Sequence, residues 1–523
     1  MKKLNALLIL SLLLILSSCS SDDSTSDNSD PLEEINLPEL LTNEVTDISL
    51  YSIKTGGKLI DVGDSDLIEI GLVIGLSTLP TTDNNLNKLI SSADEFGNFN
   101  ITIISIPANT TFFIRAYGIN SEGIGYGNEV QFTSLEENVY VGNITLSTQV
   151  EVNIFGANDY TTIDGSMYIE GTVSDLTPLE SIVFINNAFE IRNTQNLQNL
   201  EGLNSLKITG NIFPNGFKIL NNSALESLSG LNNLEISRGD SVIMNNDNLL
   251  NLQGLNSYYA ASAGEFRIQD CDGLEDLSGL ENLEFIGSRF YILNNSSLNN
   301  LSSLVNLNVA DKVYINGNPN LEDINGFDSL ATAEIISITA NSNLTNLSGF
   351  LNLTSVDYID IKYNPVLNDL SGFSNIMSSF SIAIEGNDQL ESLIGLSWEN
   401  IYGLSIVNNQ NLVNLAGLEN ISSIDGIYIR SNPSLVNLEG LNNLTSITGN
   451  GISEISFNPS LNSLNGLENL TQVNVSFRIL NNPALVDFCA LDNLLTNGNY
   501  DGGVTIYSNL ENPTLDEIIN ECE

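Results

Sequence analysis

The sequence predicts a mainly β protein: an N-terminal β-sandwich followed by a right-handed β-solenoid of about 15 coils with a parallel sheet. Three observations predict it. First, NNSALESLSGLNNLEIS (221–237), CDGLEDLSGLENLEFIG (271–287), NPNLEDINGFDSLATA (318–333) and NPSLVNLEGLNNLTSIT (432–448) are variants of one phrase. Self-similarity of this kind marks an array whose units bury their apolar faces only by stacking on their neighbours. Second, each phrase follows a short strand of the form apolar-x-Ile. The isoleucines are Ile169, Ile191, Ile219, Ile243, Ile268, Ile292, Ile315, Ile338, Ile361, Ile384, Ile406, Ile429, Ile455, Ile479 and Ile506, at spacings of 22 to 28 residues. Third, the stretch before residue 136 lacks the phrase and reads as short β-runs between turns.

One coil can be built from its residues. Strand side chains alternate between faces, so the isoleucine and the apolar residue two before it point inward. The Leu-x-x-Leu-x-Gly-Leu-x-x-Leu that follows supplies the other inward side chains, and its glycine permits a turn with positive φ or a close backbone approach. Three residues after the isoleucine stands an asparagine in most coils: Asn222, Asn246, Asn295, Asn318, Asn341, Asn364, Asn387, Asn409, Asn432, Asn458 and Asn482, with Asn509 last. An inward asparagine at one level of every coil can hydrogen-bond the buried backbone of the turn, forming a structural ladder. In the coil of Ile268 this position is Cys271, which reads as a buried structural thiol rather than a nucleophile.

The pattern resembles the receptor L-domain type of leucine-rich repeat. ITLSTQVEVNIFGANDYTTIDGSMYIEG (144–171) is similar to the N-terminal cap of such arrays in Bacteroidetes lipoproteins, and ALVDFCALDNLL with NPTLDEIINEC (484–522) to their C-terminal cap. The resemblance implies a solenoid over 140–488 and a cap over 489–523, and is silent about the ligand. Cys489 and Cys522 flank that cap. In an oxidising compartment they are expected to pair, closing a loop of about 33 residues for roughly 3–4 kcal/mol.

Residues 40–135 are expected to form the sandwich, from apolar runs at Ile68–Ile74, Phe99–Ile104, Thr111–Tyr117 and Glu129–Thr133. The segment TFFIRAYGINSEGIGYGNEVQFTS (111–134) resembles the end of a fibronectin-type-III-like module. Phe112 stands where that family often has its corner tyrosine, so the corner hydroxyl bond is expected to be missing. The resemblance implies a spacer, with ligand binding by the sandwich as the other reading.

At the N-terminus, Lys2 and Lys3 precede an apolar run from Leu4 to Leu16. The run has the length of a signal-peptide core and falls short of the about 20 residues that span a bilayer. Leu16-Ser17-Ser18-Cys19 resembles a bacterial lipobox, which implies cleavage after residue 18 and lipidation of Cys19. An ordinary signal peptide with a chance cysteine is the competing reading. Residues 19–39 read as the lipidated cysteine and an acidic tether, since Ser20–Asp30 has no apolar residue. The pair Asp22-Asp23 resembles an export signal of Bacteroidetes surface lipoproteins; a solubilising linker is the alternative. The expected location is the outer membrane, facing outward, held by the lipid.

Composition excludes several functions. With 16 Lys+Arg against 64 Asp+Glu the net charge is −48, which argues against nucleic acid as a partner. There is no histidine, which removes Ser-His triads and His-containing metal sites. Asp61, Asp64 and Asp66 lack a recognised Ca²⁺ spacing and read as a solvated turn. No cofactor or metal is expected, and the chain is expected to be a monomer.

A repeat array binds across its stacked strands, and the outward positions are those just before and after each isoleucine. These 30 positions hold 6 of the 10 Lys/Arg residues between 167 and 507, only 5 acids, and five tyrosines. The face is therefore about neutral in an anionic protein and rich in hot-spot residue types. Strand propensity alone also favours tyrosine there. The candidate binding residues are Lys218, Leu220, Met244, Arg267, Tyr291, Leu293, Tyr314, Lys362, Tyr428 and Arg430. The sequence thus points to a lipid-anchored, non-catalytic binding or adhesion module for a protein or glycan ligand. A structural surface-layer component without a specific ligand is one alternative. A polysaccharide-degrading solenoid using Asp360 and Glu385 as paired carboxylates is another, although the coils there stay regular.

Overall fold

The computed structural model describes residues 36–48, 52–104, 106–211 and 214–522. The signal core, Cys19 and most of the tether lie outside the described residues. The chain divides into two compact units, 1–135 and 136–523.

The first unit contains two antiparallel sheets. One is built from Glu39–Thr42, Ser52–Asp61 and Asn98–Ile104, with Ser52–Asp61 in the middle. The other runs Asn87–Ser91, Glu69–Gly75, Thr111–Asn120, Gly123–Tyr126, with Val130–Thr133 also on Thr111–Asn120. Leu40, Ile53, Phe99 and Ile103 of the first sheet share one buried cluster with Leu72, Ile74, Ile114 and Ala116 of the second. Phe112 is fully buried and stacks on Phe132, with ring centroids 5.3 Å apart. Of the three aspartates, Asp61 ends the strand Ser52–Asp61 and accepts from the Gly63 N–H, while Asp64 lies in the bend after it and accepts from Asn36.

The second unit is a parallel β-solenoid. Every central isoleucine pairs with the next along one ladder, as in Ile268↔Ile292 and Ile292↔Ile315. The ladder starts one coil earlier than the isoleucines suggest. Leu146 pairs with Ile169, giving about 16 turns rather than 15. A leucine stands in for isoleucine there, and the helix Gln149–Gly156 replaces the leucine phrase, so the repeat is disguised. That helix starts on a capping box between Thr148 and Glu151, which satisfies backbone donors at its first turn.

In five successive coils the chain turns the corner within one eight-residue strand: Val309–Asn316, Thr332–Thr339, Ser355–Lys362, Ser378–Glu385 and Asn400–Val407. In other coils two short strands flank the corner, as Ile208–Thr209 and Phe217–Leu220 do.

The interior is a single apolar column from Leu146 to Ile518. Each fully buried Leu or Ile contributes about 1.5–3 kcal/mol. Two features show how tightly the coils stack. Gly230 has φ +111, and a Cβ there would lie 1.8 Å from the carbonyl oxygen of Leu200 in the preceding coil. Where Phe217 and Phe266 fill the strand seat, the coil between them has Ser241. Tyr258, at a leucine position of the phrase, fills the space: its ring lies 5.6 and 5.8 Å from the two phenylalanines and its hydroxyl bonds Ser241 at 2.6 Å.

The ladder asparagines are fully buried. Between Asn295 and Asn482 each donates its backbone N–H to the Oδ1 of the asparagine one coil ahead, and its Nδ2 to the carbonyl of the isoleucine one coil behind, as at Asn318. The chain enters this seat through a left-handed residue, Asn221, Asn245, Asp270, Asn294 or an equivalent. The ladder begins at Thr194, which donates to Asn222. It ends at Asn509, whose N–H is taken by Asn512 within the same loop. Cys271 sits in the row and donates its N–H to Asn295; burial pushes its thiol up to about 12. At the C-terminal end the Cys489–Cys522 disulfide ties the helix Leu515–Glu521 to the last coils.

Candidate functional site

The strands alternate as the pleat requires. In Phe266–Gln269, Phe266 and Ile268 are buried while Arg267 and Gln269 are half-exposed. Lys218, Leu220, Met244, Arg267, Tyr291, Leu293, Tyr314, Lys362, Tyr428 and Arg430 are all half-exposed on this face. Four other positions in the two outward rows are buried rather than exposed: Val242, Ser337, Ser456 and Leu480.

The registers Arg267↔Tyr291↔Tyr314 put these three on successive coils. The Arg267 guanidinium lies 4.0 Å from the Tyr291 ring centroid. Tyr291 and Tyr314 stack at 4.8 Å with planes 18° apart. This is a continuous π-stack across three strands, in a geometry that favours both cation–π and offset aromatic attraction. In the adjacent row, Leu220, Met244, Gln269 and Leu293 follow in register, so a polar Gln269 interrupts the apolar strip.

The charge of Arg267 is already matched. Glu265 receives its Nε at 2.9 Å and its Nη2 at 3.2 Å, and Gln269 receives Nη1 at 3.0 Å. Burial works to lower the arginine's pKa, but the Glu265 bond and charge outweigh it, and the net shift is upward. Burial, then Tyr291, raises the Tyr314 phenol. The patch is therefore a pre-ordered, neutral aromatic surface. Glu265 lies three residues before the isoleucine, outside the two rows, which is why sequence reasoning missed it. Beside it is a recess lined by Asp240, Ala263, Glu265, Ser288 and Arg289. Burial raises the Asp240 carboxyl, against the Glu265 N–H that donates to it.

Elsewhere on the face the same pairing recurs. Arg192 bonds Glu170 and Glu190 and covers Tyr168 at 4.8 Å. Arg430 bonds the Tyr428 hydroxyl and covers Phe457. Asp360 and Glu385 do not form a facing pair: Asp360 is across from Ala383 and bonds Lys362 at 2.8 Å, while Glu385 accepts from Tyr363. Among the described residues, no cluster of acids and cysteines is grouped to hold a metal ion, and no helix is long and apolar enough to cross a membrane.

Residues 160–259 match the receptor L domain family. No curated protein shows a significant match to the chain. The matched segment covers coils after the first one and supplies Lys218, Leu220 and Met244 of the face.

Proposed function

We propose that the protein is a lipid-anchored surface module that binds a protein or glycan ligand through the strand face of its solenoid, with no catalytic role. The observation that carries this reading is the Arg267–Tyr291–Tyr314 stack. Rigid, half-exposed aromatics held by a neutralised arginine present binding surface at little entropic cost, because their side chains are ordered before any ligand arrives. The receptor L domain match supports a binding role for the coils beside it. The signal core and the lipobox-like Leu16–Cys19 support anchoring by Cys19 and display at the outer membrane.

The test is binding of the purified chain to arrays of glycans and extracellular proteins. Replacing Arg267 and Tyr291 by alanine is expected to weaken binding by roughly 2–4 kcal/mol with little change in melting temperature. Glu226→Ala and Glu275→Ala, in exposed turns, are expected to change neither. Normal binding by the face variants, with loss in the turn variants, would place the site on the loops or the N-terminal unit instead.

A further inference from the structure

The same sheet has a second feature at the corner where each strand begins. Tyr358, Phe380 and Tyr402 are on three successive coils and are 41%, 53% and 53% exposed. Their ring centroids are 5.4 Å apart in both pairs, with planes tilted by 52° and 33°. The rings are not misplaced core: the inward seats beside them are filled by Ile359, Ile382 and Leu404. Exposed aromatics grouped in this way mark an interaction surface.

The surroundings constrain the occupant. The register Tyr358↔Ser381↔Gly403↔Gly426 runs a row of small side chains past Phe380 and Tyr402. A Cβ at Gly403 or Gly426 would meet nothing closer than 3.4 Å, and neither glycine has a left-handed φ. Nothing in the backbone or packing demands glycine there, and the row beside the rings carries only small side chains at Ser381, Gly403 and Gly426. The residue before each register position is Asp357 on the coil of Tyr358 and Asp425 on the coil of Gly426, both exposed. Nearby Lys362 is held by Asp360, so the patch has carboxylates and hydroxyls but little free positive charge.

We propose that this stripe is a platform for a neutral linear glycan lying along the solenoid axis. A sugar ring presents a face of weakly positive C–H groups to the negative face of an aromatic ring. Its hydroxyls then find acceptors in Asp357 and Asp425 and partners in Ser381 and Ser405. Coils repeat at about 4.8 Å, so successive rings offer one stacking surface per sugar. An anionic polymer would meet uncompensated carboxylates on a chain of net charge −48. The proposal rests on the strand face being the binding surface, as above, but uses none of the Arg267 patch.

The test is affinity electrophoresis of the full chain through gels containing β-glucan, mannan, xyloglucan or, as the anionic counterpart, alginate. At least one neutral polymer is expected to retard the protein and alginate is not. The double variant Phe380→Ala, Tyr402→Ala is expected to lose about tenfold or more in apparent affinity with an unchanged melt, while Phe380→Tyr retains binding. Glu226→Ala with Glu275→Ala, both exposed and away from the rings, is expected to leave retardation intact. No retardation by any neutral polymer, retardation that survives loss of both rings, or stronger retardation by alginate would overturn the proposal. Loss of retardation only in the Arg267→Ala, Tyr291→Ala variant would overturn it and leave the first patch standing.

Discussion

Asn341 donates its backbone N–H to Oδ1 of Asn364, one coil ahead, at 3.0 Å, and its Nδ2 to the carbonyl of Ile315, one coil behind, at 2.8 Å. One side chain thus links three coils, and removing it strands donors and acceptors that no water reaches. Asn364→Ala takes away the acceptor of the Asn341 N–H and the donor to Ile338. At about 1–3 kcal/mol per stranded buried group, a loss of at least about 2 kcal/mol in denaturant melts is expected. The exposed Asn343 is the control, with a change within about 0.5 kcal/mol. Asn352 is a poorer control, since it bonds the Asp328 carbonyl on the outside of the array. Equal effects at Asn364 and Asn343 would refute the ladder as a source of stability.

Cys271 gives a prediction of opposite sign. It occupies an asparagine seat but reaches the Ile243 carbonyl only through sulfur, at 3.9 Å. Cys271→Asn restores an amide donor and is expected to leave stability equal or higher, and a drop of more than about 1 kcal/mol would count against it. The thiol also yields a pH dependence. Its folded pKa, about 12, lies above the ordinary 9.0 because burial disfavours the thiolate. The unfolded chain therefore releases this proton first, and the thiol's contribution to stability is full below about pH 9 and is lost as pH rises toward 12. Wild type is expected to lose more stability than Cys271→Asn across that window, and native alkylation at pH 8 is expected to be negligible. Rapid labelling of the folded chain would show that the thiol is not sequestered.

Gly230→Ala is expected to be among the costliest single-methyl changes in the solenoid. The new Cβ would meet Leu200 O at 1.8 Å and the residue keeps φ +111. Overpacking of about 1–3 kcal/mol adds to backbone strain of about 1–2 kcal/mol. Gly451, with nothing within 4 Å, is expected to accept alanine within about 0.5 kcal/mol. Matching melts for the two variants would contradict the close coil contact.

Cys19→Ala is expected to abolish incorporation of a fatty-acid analogue, since no other cysteine directly adjoins the signal core. Label that persists in this variant would rule out the lipobox reading of residues 16–19.

The sequence alone determined the array. Isoleucine spacing, the leucine phrase and the asparagine three residues on are local patterns, and stacking identical units converts local pattern directly into tertiary register. That is why Ile268↔Ile292 and the seat of Asn318 are legible in the sequence. The first coil was hidden because Leu146 and a helix replace the usual letters. Only the tertiary structure decided what the face presents. Arg267 stands among the binding residues by its row alone, but Glu265, two residues earlier and outside the expected rows, neutralises it. Tyr358, Phe380 and Tyr402 recur 22 residues apart, a signal that was available. Their exposure, however, depends on where each corner bends and on which neighbour fills the inward seat. Those are properties of packing between coils, and no single coil's sequence contains them.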